Sequence, residues 1–213
     1  MTQILLYQCS QGITLATDSK AVSFLPDDRI NSMTVQKIFT LSSHAVLATG
    51  GAGYGVLVCQ RLQSHIKSEG ESSFDDIKKR AVPYLQEQID RVHAENLYSS
   101  DRPDLQRVYF LLTGYVPEAS SNPYRFDLFG SEQFGDPLHV IGTGQVVAIP
   151  RRMGIEFRLS RLPKTAAELD EAETICENFL IKLSRETTEV GPPFYFVRVT
   201  ADGIKFRTRD SLD

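Results

Sequence analysis

Few side chains in this 213-residue sequence stand where their type alone gives them chemistry. The residue after the initiator is Thr2. A threonine hydroxyl is a weak nucleophile until a base takes its proton. A threonine that begins a mature chain carries such a base itself, an α-amino group whose pKa of about 7.7–8.0 lets it be neutral near pH 7. Methionine aminopeptidases tolerate a small second residue, so removal of Met1 would expose Thr2 without a propeptide. While Met1 is present the amine lies in a peptide bond and that base does not exist. A Met-Thr opening is common, and alone it assigns nothing.

The other reactive types are less promising. Cys9, Cys59 and Cys176 are odd in number, far apart and without ligand spacing, which argues against disulfides or zinc and for a reducing cytoplasm. Cys9 and Cys59 read as buried rather than reactive. His44, His65, His93 and His139 show no i, i+4 pairing with a nearby acid, so no metal site is expected. The Gly50–Gly55 run lacks the lysine and hydroxyl of a phosphate loop. Arg151-Arg152 is a two-residue basic cluster that reads as solvated surface, and a net charge of −4 gives no electrostatic reason to expect nucleic acid. No apolar run approaches the roughly 18 residues of a membrane span. The opening residues lack a basic n-region and a long apolar h-region, so no secretory signal is read there.

The elements that would carry these residues follow from period and punctuation. Ile4-Leu5-Leu6, the turn Ser10-Gln11-Gly12 and Ile13–Thr17 predict a hairpin. A polar loop with Pro26, Asp27 and Asp28 follows. Lys37–Leu41 and Ala45–Ala48 predict a second strand pair, broken by Gly50, Gly51 and Gly53 into a helix with Val56, Cys59, Leu62 and Ile66 on one face. A second helix starts near Ser73, with Asp75 and Asp76 at its positive end and Phe74, Ile77, Ala81, Leu85, Ile89 and Val92 inward. Pro83 should kink or interrupt it. Strands are expected at Val108–Leu112, Tyr124–Leu128 and Leu138–Ile141. Thr165-Ala166-Ala167-Glu168 reads as a capping box before a helix whose stripe is Leu169, Ala172, Cys176, Phe179 and Leu183. A last hairpin turns at Asp202-Gly203. Strands and helices in runs predict an α+β fold rather than a wound parallel sheet, and one domain over 1–213.

On this framework four stretches resemble the proteasome β-subunit family, which includes the bacterial two-component protease and ancestral-β proteins. They are Thr2 opening a strand and followed by Gly12–Lys20, then Gln36–Phe39, Leu47–Gly51 running into a helix, and Ile141–Gly144. The spacing of Thr2 to Asp18, and of Lys37 to Gly51, is the family's. The resemblance is close over about residues 2 to 66 and loose beyond. It implies a four-layer αββα sandwich of two antiparallel sheets flanked by helices.

It also implies roles. Thr2 would be the nucleophile, Lys37 the cation that favours its alkoxide, and Asp18 the partner that holds Lys37 charged. The Gly51 N–H would stabilise the oxyanion. Thr143 stands where the family has a serine, and Glu186 where it has an aspartate. Glu189 replaces a hydroxyl residue and would bring a second carboxylate toward Lys37. Lys20, Ala21, Val35 and Thr49 would contact substrate, Thr49 at the base of a neutral pocket suited to apolar side chains. Pro150 interrupts the region of the family's third helix. The implied reaction is amide hydrolysis through an acyl ester on Thr2, without a cofactor, on a peptide or protein, in a self-assembled ring or spiral fed by an ATP-dependent unfoldase. Singly, each residue has an ordinary reading too: Asp18 as a turn cap, Lys37 as a strand-edge lysine, Gly51 as a strand-to-helix turn. A non-catalytic proteasome-like assembly protein, like the family's α subunits, is the alternative, and a small-amide hydrolase a third reading.

Overall fold

The computed structural model describes residues 2–24, 30–70, 73–95, 106–119, 121–133 and 136–212. In chain order the strands and helices are β1 (Ile4–Cys9), β2 (Gly12–Thr17), β3 (Lys20–Phe24), β4 (Ile30–Thr34), β5 (Ile38–Thr40), β6 (Ala45–Gly51), α1 (Tyr54–Ser68) and α2 (Phe74–Ala94). Then come β7 (Val108–Tyr115), β8 (Tyr124–Ser131), β9 (His139–Ile141), β10 (Val146–Ile149), α3 (Met153–Ser160), α4 (Glu168–Glu186), β11 (Phe194–Thr200) and β12 (Gly203–Arg209). The fold is mixed α+β with antiparallel sheets. It divides into two units, Met1–Lys37 with Thr143–Asp213, and Ile38–Gly142.

The first unit carries a five-stranded sheet in the order β10-β1-β2-β11-β12 and the β3–β4 hairpin. Successive strand residues point to opposite faces, so Leu5, Tyr7 and Cys9 share one face of β1. They pack with Ala148, Phe194 and Phe196 against Ile155 and Leu159 of α3 and Leu169, Ala172, Cys176, Leu180 and Leu183 of α4. Each large side chain buried there stabilises the unit by about 1.5–3 kcal/mol. Phe179 lies at the margin of the expected stripe, and Leu180 takes the fully buried place.

The second unit carries the sheet β5-β6-β7-β8-β9. Its apolar face, with Phe39, Leu47, Phe110 and Phe129, packs against Val58, Leu62 and Ile66 of α1 and Ile77, Leu85 and Ile89 of α2. The Ser73 side chain caps α2 by accepting the Asp76 N–H at 3.2 Å. Pro83 does not interrupt α2, which runs unbroken from Phe74 to Ala94. The ring lies on the exposed side, where the carbonyl it leaves without a donor can face water.

Three expectations are corrected. The stretch read as a polar loop is partly the β3–β4 hairpin, with Lys20 opposite Thr34 and Ala21 opposite Met33; Pro26, Asp27 and Asp28 lie outside the described residues. Asn31–Thr34 are exposed, so no buried alternation marks the strand. The capping box does not form. Ala167 is the N-cap, with no side-chain cap bond, and Glu168 turns inward to accept the Tyr7 hydroxyl. Pro150 is followed closely by a helix, α3, which begins at Met153.

Candidate functional site

The first unit brings Asp18 and Lys37 into one hydrogen-bonded arrangement with the Gln3 backbone that follows Thr2. The β1–β2 register sets Ile4 opposite Thr17, so the residues just beyond the ladder, Gln3 and Asp18, face each other. The Asp18 N–H donates to the Gln3 carbonyl at 3.4 Å, and the Gln3 N–H donates to Asp18 Oδ1 at 2.9 Å. That N–H belongs to the peptide bond between Thr2 and Gln3. On the other side, the Lys20 N–H donates to Asp18 Oδ2 at 3.0 Å.

Lys37 enters from beyond β4. The Val35 N–H donates to the Ser19 carbonyl at 2.8 Å, which keeps the chain alongside Asp18 after the hairpin ladder has ended. Lys37 Nζ then lies 3.0 Å from each Asp18 carboxylate oxygen and 2.6 Å from the Lys20 carbonyl oxygen. Three acceptors match the three protons of an ammonium. The Lys37 and Asp18 side chains are only 2% and 0% exposed, and lysine is almost never so buried unless paired. Burial pushes the Asp18 carboxyl above its usual value, with Lys37 and the Gln3 and Lys20 N–H groups pulling the other way. Burial also lowers the Lys37 ammonium, which Asp18 offsets in part. Thr2 itself is buried.

The remaining candidates are placed differently. Gly51 ends β6 in the second unit with φ +90°, and a Cβ there would collide with the Arg107 carbonyl oxygen. Glycine is therefore required at this strand end whatever else its N–H does. Thr49, also in β6, is buried with its hydroxyl toward α1, at the point where a Cβ on Gly55 would sit. Thr143 is exposed between β9 and β10. Glu186 ends α4, 57% exposed, with its carboxylate 3.7 Å from Lys182 rather than on Lys37. Glu189 donates its N–H to the Thr187 hydroxyl at 3.2 Å. Lys20, through its backbone, holds both members of the ion pair, while its side chain lines a cavity of about 330 Å³ with Arg185, Glu186, Thr187 and Gly191. Ala21 and Val35 are half-buried, in β3 and just after β4.

Gln3 was missed as a site residue. The available signal was a polar amide in an otherwise apolar run, Ile4-Leu5-Leu6, where a buried side chain must find partners. No family model and no curated protein matches the chain. Among the described residues no helix is long and apolar enough to cross a membrane, and no cluster of histidine, cysteine or carboxylate residues could hold a metal.

Proposed function

We propose that the chain is a threonine amidohydrolase of the proteasome β-subunit type, a peptidase whose nucleophile is Thr2 after removal of Met1. One observation carries this reading. The Asp18 carboxylate that pairs with buried Lys37 also accepts the N–H of the Thr2–Gln3 peptide, so one group orients both the cation and the residue that would attack.

In this mechanism the freed α-amine takes the Thr2 hydroxyl proton, because Lys37, with three acceptors on its three protons, acts as a fixed cation rather than a base. The Thr2 oxygen attacks the substrate carbonyl, and the ammonium returns the proton to the leaving amine. Water, activated by the same amine, then hydrolyses the ester. The reading assigns the oxyanion to the Gly51 N–H. It also takes the two five-stranded sheets, each with a helix pair on one face, as the layers of a four-layer αββα sandwich, and the assembly as a ring or spiral of copies of this chain. Glu186 carries no step, since its carboxylate faces Lys182.

The test is intact mass before and after incubation with a peptide epoxyketone, which closes a ring using both a free α-amine and the threonine hydroxyl. Loss of Met1 followed by an adduct mapped to Thr2 is the expected result. Retained Met1, or a free Thr2 that never reacts, supports the non-catalytic assembly protein instead.

A further inference from the structure

We infer that Gln3 is a positioning residue for Thr2, acting through its side-chain amide; this rests on the threonine-hydrolase reading. The β1–β10 ladder ends at the pair Ile4–Ile149, which leaves the start of β1 without a strand partner on that side. The Gln3 side chain continues the attachment past the ladder. Its Nε2 donates toward the Ile149 and Pro150 carbonyls, each at 3.3 Å, and lies 3.3 Å from the Ile4 carbonyl. Its Oε1 accepts from Arg152 Nε at 3.4 Å. The Arg152 donor fixes which end of the amide is oxygen, and so turns the NH2 toward the carbonyls.

Gln3 is 1% exposed, and its backbone N–H and carbonyl both bond Asp18. The residue that follows the nucleophile is thus held from two directions, by the Asp18 carboxylate through its backbone and by the β10–α3 connection through its side chain. The side-chain contacts are long and individually weak, whereas the Gln3 N–H meets Asp18 Oδ1 at 2.9 Å. Together they remove rotation and translation at the Thr2–Gln3 peptide, and a misplacement of about 1 Å at a reacting group can lower a rate about 100-fold. A glutamine serving only the core would be replaceable by an apolar residue of equal length with no effect on reactivity per folded molecule.

The experiment measures the inactivation constants of the full chain with a peptide epoxyketone, after intact mass has shown Met1 removed. It compares wild type, Gln3→Met and Arg152→Ala, with thermal midpoints to fix the folded fraction. The expected result for Gln3→Met is a fall in kinact of about 10- to 100-fold with KI unchanged. Arg152→Ala, at an exposed position, should lower the same constant by less. Unchanged kinact in folded Gln3→Met overturns the inference, as does unchanged kinact in Arg152→Ala should Gln3→Met not fold. A wild type that takes no adduct removes the hydrolase reading itself, and this inference with it. A wild type that reacts beside equally reactive variants removes the inference alone.

Discussion

Lys37 and Asp18 form an ion pair with almost no solvent access, the ammonium 3.0 Å from both carboxylate oxygens. Desolvation of both charges opposes this arrangement, and it is maintained because the remaining donors and acceptors are matched by the Gln3 and Lys20 backbone. Breaking the pair from one side should therefore be worse than removing it. Asp18→Asn leaves an unpaired buried ammonium and should lower unfolding free energy by about 3–5 kcal/mol. The double variant Asp18→Asn with Lys37→Met should recover part of that loss. Urea unfolding of the three proteins measures both; a double variant less stable than Asp18→Asn alone would contradict the account.

The same burial makes the pair visible in pH dependence. The Asp18 carboxyl is raised from its ordinary value of 3.8 in the folded state. Between those two values the folded chain binds more protons than the unfolded one, so this group's contribution falls as pH rises through that window. The Lys37 ammonium is lowered from 10.5. Between its lowered value and 10.5 the unfolded chain binds more protons, so its contribution recovers as pH rises. Relative to the Asp18→Asn, Lys37→Met double variant, wild-type stability should fall as pH rises above 3.8 and climb as pH approaches 10.5. Urea midpoints across pH for both proteins give the difference curve, and a rise above pH 3.8 with a fall toward 10.5 would reverse the sign argued here.

What could be read from the sequence divides by how local the determinants are. α1 and α2 follow from their own periodicity, and Ser73 with Asp76 supplies a start signal that acts three residues away. The β1–β2 and β11–β12 hairpins are set by turns and alternation within the short segments Ile4–Thr17 and Phe194–Arg209. β4 lies in an exposed hairpin with no buried face to alternate, and the four residues of β10 are too few to show a period before Pro150. Glu168 satisfies a local cap pattern, yet its partner Tyr7 is 161 positions away and wins, because an unpartnered buried hydroxyl or carboxylate is costly. In the candidate site, the Asp18–Lys37 pair was legible only through the family resemblance of the stretches that carry them, since a separation of 19 positions pairs nothing by itself. Gln3 was not found, since its side-chain carbonyl partners Ile149 and Pro150 lie nearly 150 positions on and carry no side-chain signature.

Gly51 and Gly53 stand two residues apart and should respond in opposite ways to alanine. At Gly51 φ is +90°, where an L side chain is strained, and the new methyl would meet the Arg107 carbonyl. The loss should exceed about 2 kcal/mol, combining the dihedral term with displacement of that strand start. Gly53 is the N-cap of α1 at φ −61°, with nothing within 4 Å of an added Cβ. Gly53→Ala should be neutral or stabilise by up to about 1 kcal/mol through the unfolded chain. Thermal unfolding ranks them, and equal losses would show that the close approach at Arg107 does not control this turn. It also follows that lost activity in Gly51→Ala cannot by itself prove an oxyanion role.

Along α4 and the terminal hairpin, charge alternates between elements. Arg198 bonds Asp170 and Glu173, Arg207 bonds Glu173 and Glu177, and Arg209 bonds Glu177. The middle acid, Glu173, is 9% exposed and bridges two guanidinium groups, whereas Lys182 and Glu186 at the end of the same helix are 75% and 57% exposed. Water screens the second pair and leaves the first largely intact. Glu173→Gln removes a charge from two charge-assisted bonds and should lower stability by about 1.5–3 kcal/mol. Glu186→Gln should change it by no more than about 0.5 kcal/mol. Urea unfolding at low and at 1 M salt separates them, since the Glu173 effect should persist in salt and the Glu186 effect should vanish. Equal and salt-sensitive losses would mean that the guanidinium ladder is ordinary solvated surface charge rather than the clamp that fixes β12 against α4.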